Sequence, residues 1–254
     1  MTSGVQIRKL PKLLPADTSD AKWLETATKC RALRLHALKS SPEAFASSYE
    51  VESQRGLEAT FERLGNPKAV HFLAVRIHDS GQNGAGGADN WLPSHIDELV
   101  GTLILLGPLE EDASSGLTAR SSPFAKATAP VKSSEPAHQP ALHSLDRLRI
   151  SHYHLNGTFV HETCRGAGLG LRLIEAALSE AADRTRSAGW QTYKCSVLVN
   201  QENDAARRLY EKAGFAIAGS ETYSQQRRTV AGEPQKVERV ALSMELTRDL
   251  ETKE

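Results

Sequence analysis

The sequence predicts a mixed α/β (α+β) fold in which a central, mostly antiparallel sheet carries helices on both faces. Segments with an apolar residue at every second position alternate along the chain with segments whose apolar residues recur every three or four positions. A glycine-rich stretch at 157–170 joins a strand directly to a helix, and two alternating segments, 215–223 and 236–246, end the pattern. Strands and helices mixed in this order favour one sheet covered by helices.

The first half of the chain is predicted to contain three strands and two helices. Ala27, Leu33 and Ala37 lie on one face of the first helix, which would bury them. Ser41 is suited to cap the second helix, with Pro42 at its first position, although this helix is expected to be broken. The five elements occupy residues 5–10, 21–39, 42–63, 70–77 and 98–106.

The second half is predicted to alternate between strands and helices and to end in two strands. Asn203 is a good cap for the later helix, and Lys212 lies in its last turn. Gly214 is suited to the left-handed position that follows a helix. The six elements occupy residues 151–160, 168–188, 193–199, 203–213, 215–223 and 236–246.

The composition fits a single domain over residues 1–254 that is interrupted by two insertions. Residues 78–95 are rich in Gly, Asn and Asp, which predicts an enlarged loop. Residues 107–145 are rich in Ser, Ala and Pro with little periodicity, so we predict a flexible, low-complexity insertion. A loop of this length is either functional or disordered, and we favour disorder over a lid.

Charge and cysteine content narrow the classes of partner. The chain has 31 Lys+Arg and 31 Asp+Glu, so its net charge gives no reason to expect a nucleic-acid or membrane partner. No apolar run is long enough to span a bilayer. Cys30, Cys164 and Cys195 favour reduced thiols in the cytoplasm, with the nucleus as an alternative, and no Cys/His cluster has the spacing of a zinc site, so no metal is expected. A homodimer is left open.

The glycine-rich stretch predicts an anion-binding loop. Glycines between a strand and a helix allow backbone N–H groups to close around a phosphate at the helix N-terminus. A Walker loop would require Lys after Gly170, where Leu171 stands, and a dinucleotide fingerprint starting at Gly166 would require Gly at position 171. The remaining pattern is Arg165-x-x-Gly168-x-Gly170, and the alternative is a tight strand-to-helix turn that binds nothing.

A second motif follows the next strand and makes the pattern more specific. The chain reads Asn-x-x-Ala-x-x-Leu-Tyr-x-Lys-x-Gly-Phe from Asn203 to Phe215. Together with the glycine loop, this motif resembles the GCN5-related N-acetyltransferase (GNAT) family, in which both occur in this order. Residues 31–52 resemble the first helix and following loop of the same family. The resemblance implies a single acyl-CoA N-acyltransferase domain over most of the chain outside the insertions.

The resemblance implies acetyl-CoA as the cofactor. The glycine loop would hold its pyrophosphate, with Arg165 either contacting the anion or bracing the loop. The strand around Phe159 and Val160 would pair with the pantetheine arm, and the Val160 N–H would point at the thioester carbonyl. Phe159 and Val160 are also consistent with an ordinary core strand. The implied cofactor-binding residues are Phe159, Val160, Arg165, Gly166, Ala167, Gly168, Leu169, Gly170, Asn203, Ala206 and Tyr210.

Three side chains are candidates for catalysis. By the resemblance, Tyr210 would lie beside the cofactor sulfur and donate a proton to the departing thiolate, whereas its spacing also fits core packing. His154, which has the same parity along its strand as Val160, stands where histone-acetylating relatives have a glutamate, and an ordinary pKa of about 6.5 suits a base. Glu98 on the adjacent strand is the alternative base. A water relay, with no side chain touching the amine, is common in the family.

These features predict an N-acetyltransferase that moves an acetyl group from acetyl-CoA to a primary amine by direct transfer in a ternary complex. The acceptor is expected to be a small molecule or a peptide, and a protein N-terminal or lysine acetyltransferase is the alternative enzyme. A catalytically silent acyl-CoA-binding or sensor module is the alternative from another class. The expected acceptor-side segments, 39–51 and 222–236, carry mixed charges that do not select among these functions.

Overall fold

The computed structural model describes residues 4–77, 98–109, 150–228 and 234–251. Within these ranges the chain forms seven strands: β1 (Val5–Lys9), β2 (Ala69–Arg76), β3 (Glu98–Leu109), β4 (Ile150–Val160), β5 (Thr192–Asn200), β6 (Ala216–Arg228) and β7 (Pro234–Asp249). The same ranges contain the helices α1 (Ala21–Ser40), α2 (Tyr49–Ser53), α3 (Glu58–Leu64), α4 (Leu169–Ser187) and α5 (Asp204–Lys212). Short 3₁₀ turns lie at Pro15–Ser19, Pro42–Ala44 and Glu162–Cys164.

The strands form one open sheet in the order β1-β2-β3-β4-β5-β7-β6. Every neighbouring pair is antiparallel except β4 and β5, which are parallel. A parallel pair needs a crossover connection, and α4 supplies it between these two strands. The predicted fold class, a mostly antiparallel sheet flanked by helices, is confirmed.

Helices cover both faces of the sheet, and each face has its own core. On one face, Leu173 and Ile174 of α4 pack with Leu155 of β4 in a cluster that α5 also joins. On the opposite face, Ala27 of α1 packs in a second cluster with Phe159 of β4. The apolar stripe predicted for the first helix is therefore buried, and β4 contributes to both cores.

The segment predicted as one broken helix at 42–63 consists of a 3₁₀ turn followed by the short helices α2 and α3. The predicted cap at Ser41 is wrong, because within the described chain its side chain makes no capping hydrogen bond to that turn. Ser48 does this instead for α2, where its hydroxyl accepts from the N–H of Val51. The chain between the two serines is extended at Phe45, which separates the turn from the helix.

A buried carboxylate holds the short helices together. Glu52 of α2 is 3.1 Å from the Arg34 guanidinium of α1 and 2.5 Å from the Arg63 guanidinium of α3. Burial alone would raise the pKa of Glu52, but the two guanidinium groups outweigh burial and hold that pKa below its ordinary value. A single acidic side chain thus joins three helices on the α1 face.

The strand β3 extends to Leu109, so residues 107–109 belong to the sheet and not to the predicted insertion. Leu109 pairs with His152 of β4. The rest of that insertion and the predicted loop at 78–95 lie outside the described residues, and both remain predictions. Among the helices described, none has the length and apolar character needed to cross a membrane.

Candidate active site

The glycine loop between β4 and α4 has the backbone of an anion cradle. Gly166 and Gly168 adopt φ angles of 81° and 75°, in the left-handed region that residues with side chains rarely occupy. A Cβ built on either residue would meet no heavy atom within 4 Å, so the loop faces open space. The two glycines therefore bend the backbone and leave room beside it.

The N-terminus of α4 adds unpaired backbone donors to this space. Gly168 stands at the cap position, and in the described chain no side chain caps the helix there. The first N–H groups of a helix have no acceptor within the helix, and the helix dipole places partial positive charge at this end. A phosphate group would satisfy these N–H groups, which agrees with the predicted pyrophosphate site.

Neighbouring loop residues shape and brace this cradle. The Cβ that Gly170 lacks would lie 2.8 Å from Leu209 of α5, so this glycine permits close helix packing. Leu169 is buried in the core, which leaves only its backbone for a ligand. The Arg165 guanidinium donates to the Val160 carbonyl at 3.1 Å and lies 5.8 Å from the centroid of the Phe159 ring, so its side chain connects the loop to the end of β4.

The strands β4 and β5 separate immediately before this loop. Their parallel pairing runs from Ile150 opposite Thr192 to Leu155 opposite Val197 and then stops. Residues 156–160 of β4 pair only with β3, and residues 198–200 of β5 pair only with β7, among the described strands. We call the gap between these two segments the opening. The Val160 carbonyl accepts from Arg165, and the other outward N–H and C=O groups on the β4 side of the opening are available to a ligand that runs along the strand.

A bulge in β4 decides which side chains face each core. Thr102 of β3 pairs with Phe159 and Ile104 with Asn156, so β4 has one extra residue in this interval. Gly157 takes the left-handed φ of 61° that this bulge requires. The extra residue reverses the alternation of side chains, as the positions of Leu155 and Phe159 in different cores show. The predicted shared parity of His154 and Val160 is therefore wrong.

Tyr210 of α5 reaches into the opening. Its hydroxyl is hydrogen-bonded to the Thr158 hydroxyl at 2.8 Å, and either oxygen can be the donor. The ring is 3% exposed and meets Phe215 edge-on at 5.4 Å between centroids. Burial raises the pKa of Tyr210 to about 12, although the Thr158 hydrogen bond lowers it, so the phenol stays protonated at neutral pH. The side chain thus packs in the core and also presents a polar group to the opening.

His154 lies where β4 and β5 are still paired, one residue before their last pair. It is 5% exposed, and its Nδ1 is 3.0 Å from the Ser196 hydroxyl of β5. Burial lowers the pKa of His154 to about 4, because the charged imidazolium is poorly solvated there. The ring is therefore neutral near pH 7, but it is a weaker base than an ordinary histidine.

Glu98, the other candidate base, lies at the opposite end of the site. It begins β3, four residues before Thr102, whereas His154 pairs with Leu106 on the far side of Thr102. Its carboxylate forms an ion pair with Arg76 at 2.5 Å. The structure therefore does not bring Glu98 and His154 together, and the Glu98 carboxylate already has a cationic partner.

The helix α5 begins as predicted. The Asn203 side chain accepts the Ala206 N–H at 3.0 Å, which is the capping bond that the motif indicated. Gly214 follows the helix with a φ of 96°. The side-chain oxygen of Asn203 thus has a structural partner, and Ala206 packs against the core. The sequence predicted that Asn203 and Ala206 bind the cofactor. Helix capping and core packing explain the placement of these two side chains without a ligand.

One cluster of possible metal ligands was missed by sequence reasoning. His36 of α1 meets His161 and Glu162, and one potential ligand atom from each lies within 4.8 Å of the others. His36 is more than a hundred positions from the adjacent pair His161 and Glu162, so only the fold reveals the cluster. The two rings stack at 4.6 Å and 10°, which directs their in-plane lone pairs along separate planes. The His36 Nε2 also lies 3.0 Å from the Glu162 carboxylate, so the arrangement is a hydrogen-bonded cluster.

Part of the chain is similar to known proteins. Residues 140–217 match the family model described as the acetyltransferase (GNAT) domain. Over 72 residues the chain is 32% identical to the peptidyl-lysine N-acetyltransferase YjaB of Escherichia coli strain K12. This aligned stretch covers 28% of this chain and 42% of that protein. The chain thus spans less than half the length of this curated relative.

Comparison with solved structures gives low sequence identities. A candidate acetyltransferase of Acinetobacter baylyi ADP1 superimposes with a TM-score of 0.51 at 13% identity, over 98% of this chain and 95% of that one. A candidate acetyltransferase of Salmonella typhimurium, yncA, solved with its cofactor acetyl-CoA, gives a TM-score of 0.47 at 15% identity, over 99% and 97% of the chains. The segment matched by the acetyltransferase (GNAT) domain model includes β4, the glycine loop, α4, β5 and α5.

Proposed function

We propose that this protein is an N-acetyltransferase that transfers the acetyl group of acetyl-CoA to a primary amine in a ternary complex. The observation that carries the proposal is the junction of two binding features within a few residues of β4. An unpaired strand edge at 156–160 leads directly into an uncapped glycine loop at the start of α4. Acetyl-CoA has amide groups for the strand edge and a pyrophosphate for the loop.

Within this proposal, the pantetheine arm runs along residues 156–160 and brings the thioester to the opening. The backbone N–H of Val160 polarises the thioester carbonyl, as the family resemblance implies. Tyr210 donates a hydrogen bond to the thiolate as it leaves, because its hydroxyl lies in the opening and stays protonated at neutral pH. The attacking amine forms the C–N bond while the C–S bond breaks, and the amine proton passes to solvent.

For the amine proton, we propose a water relay in which neutral His154 is the side-chain acceptor. His154 lies next to the last pair of β4 and β5, beside the narrow end of the opening. Its lowered pKa makes complete protonation unfavourable at pH 7, so the proton must pass on to bulk water. Glu98 is the weaker candidate, since Arg76 holds its carboxylate.

The acceptor is proposed to be an amine of a peptide or small molecule. The name of the Escherichia coli relative favours a peptidyl lysine among these. A catalytically silent acyl-CoA-binding module would have the same loop and opening, but it would have no need of a hydroxyl beside the thioester. Thr158 and Tyr210 therefore favour the enzyme over the silent module.

Release of free CoA thiol and mass spectrometry of acetylated products, over a panel of lysine peptides, N-terminal peptides and small amines, test this proposal. We expect amine-dependent thiol release, together with a rise in melting temperature on adding acetyl-CoA but not NAD or ATP. Stabilisation without transfer to any amine would favour the silent module. No stabilisation by acetyl-CoA would contradict the cofactor assignment. Sedimentation of the same sample would test whether the protein is a homodimer.

A further inference from the structure

The segment between α1 and α2 crosses the mouth of the opening and is fastened on both sides of it. On the β4 side, the Arg165 guanidinium lies 3.5 Å from the Ser41 hydroxyl. On the β5 side, the Asn200 amide donates to the Glu43 carbonyl at 2.8 Å. Since Asn200 ends β5 and Arg165 follows β4, residues 41–45 span the gap between the two strands.

A third fastening comes from β6, which β7 separates from β5. The Gln225 amide nitrogen donates to the Pro42 carbonyl at 2.8 Å and to the Phe45 carbonyl at 2.6 Å. Gln225 is fully buried at 0% exposure, so these donors have been taken entirely out of water. One side chain thus fixes both ends of the 3₁₀ turn at Pro42–Ala44.

The two amide side chains are themselves held in place. The Gln225 oxygen accepts from Arg239 of β7 at 3.2 Å, and Arg239 also approaches the Glu202 carboxylate at 3.3 Å. The Asn200 oxygen accepts the Glu202 N–H at 2.9 Å. The Gln225 oxygen is thus paired with a side chain of β7 and the Asn200 oxygen with the backbone just after β5, while both amide nitrogens are directed to the turn. This leaves each amide only one orientation in which both its ends are paired.

We propose that Asn200 and Gln225 are positioning residues that hold 41–45 as the acceptor-side wall of the opening. This inference rests on the proposed acetyl transfer. An amine that approaches a thioester lying along β4 from the side of 41–45 must pass this segment, so the wall influences which amines enter and how they are oriented. The carbonyls of the turn are bonded to the two amides, whereas the Glu43 side chain is exposed at the mouth.

Acceptor kinetics of two near-isosteric variants test the inference. Gln225→Met keeps most of the buried volume and removes both donors, and Asn200→Asp keeps the oxygen that binds Glu202 while removing the donor to Glu43. We expect the acceptor KM to rise about tenfold in each, with the acetyl-CoA KM within about twofold of wild type, because only the acceptor side loses hydrogen bonds. Hydrogen exchange of residues 41–48 should accelerate in both variants.

Thr192→Val is the matched control, since it removes a buried hydrogen bond of 2.7 Å to Asp249 at the other end of β5. It should lower the melting temperature without changing either KM.

Asn200 and Gln225 variants that lose stability but keep the wild-type acceptor KM would overturn the inference and make both amides structural. If Gln225→Met fails to fold, the smaller change Asn200→Asp decides. A wild-type protein that acetylates no amine would refute the proposed function and this inference together, whereas an active wild type with unchanged variants refutes the inference alone.

Discussion

The first half of β4, residues 150–155, has a hydrogen-bonded strand on each side, whereas the second half, residues 156–160, has one only on the β3 side within the described sheet. The first half buries Tyr153 and Leu155 in the core beneath α4. The second half begins with the bulge at Gly157 and lies beside the Tyr210 hydroxyl. One continuous strand therefore stabilises the sheet with its first half and presents unpaired backbone with its second.

This contrast separates two kinds of substitution. A change in the paired half should alter the free energy of unfolding and its pH dependence, because Tyr153, His154 and Leu155 are buried there and the strand has a partner on both sides. Removal of a polar group beside the open half should alter binding or turnover with less effect on stability, since it leaves the buried apolar contacts of that half in place.

Tyr210→Phe should have the largest effect. It removes the hydroxyl from the opening and keeps the buried ring, so we expect kcat to fall roughly tenfold to a hundredfold, with acetyl-CoA affinity nearly unchanged. Tyr193→Phe, in the paired part of β5, is the control and should change stability only. Normal turnover of Tyr210→Phe would leave Tyr210 as a wall of the cofactor site.

At acid pH, the buried His154 in the paired half should lower the free energy of unfolding. The folded-state pKa of His154 is about 4, below the unfolded value near 6.5, so the unfolded state binds the proton first as pH falls. Stability is complete above the unfolded pKa and is lost between pH 6.5 and 4, which amounts to about 2 kcal/mol at pH 5 for one such group.

Urea unfolding of wild type and His154→Gln at pH 7.5 and pH 5 measures this loss. We expect the free energy of unfolding to fall by about 2 kcal/mol less in the variant. His71, whose pKa burial also lowers to about 4, remains in both proteins, so part of the acid sensitivity should persist. Equal pH dependence in the two proteins would show that His154 is solvated in the folded state.

Gly168→Asp tests the loop that the open half leads into. A carboxylate at the α4 N-terminus would repel the pyrophosphate, and the left-handed backbone at this position favours glycine. We therefore expect acetyl-CoA affinity to fall about tenfold, or about 1.4 kcal/mol. Gly189→Asp is a matched control at the other end of α4, because Gly189 also has a left-handed φ, 73°, and open space around it. Equal calorimetric affinities of the two variants would refute the loop assignment.

The smallest effect is expected where the strands β3 and β4 leave the described part of the chain. Leu109 and His152 are paired, so the ends of these adjacent antiparallel strands lie side by side. A short Gly/Ser linker in place of 110–141 could join them, and shortening a loop changes its closure entropy only slowly. We expect the melting temperature to change by a few degrees at most, and loss of soluble protein would show that the segment packs on the domain.

Much of the fold could be predicted from local patterns. Periodicity placed β4, α4, β5 and α5 within one or two residues, because each has a regular apolar face and a clear end signal such as Asn203 or Gly214. The helix predicted at 42–63 was too long. The spacing of apolar residues there does not reveal that the chain is extended at Phe45 or that a new helix begins after Ser48. The bulge at Gly157 was also missed, and it reversed the facing assigned to His154.

The sequence by itself determined the class of the sheet, the glycine loop and the motif that ends in Phe215, because these depend on residues close together in the chain. Only the tertiary structure decided the opening between β4 and β5, the bond from Tyr210 to Thr158, and the clamp of Asn200 and Gln225 on 41–45. These features join residues up to 183 positions apart. Burial also moved the pKa of His154 to about 4, and the solvation of a side chain is a property of the folded packing around it.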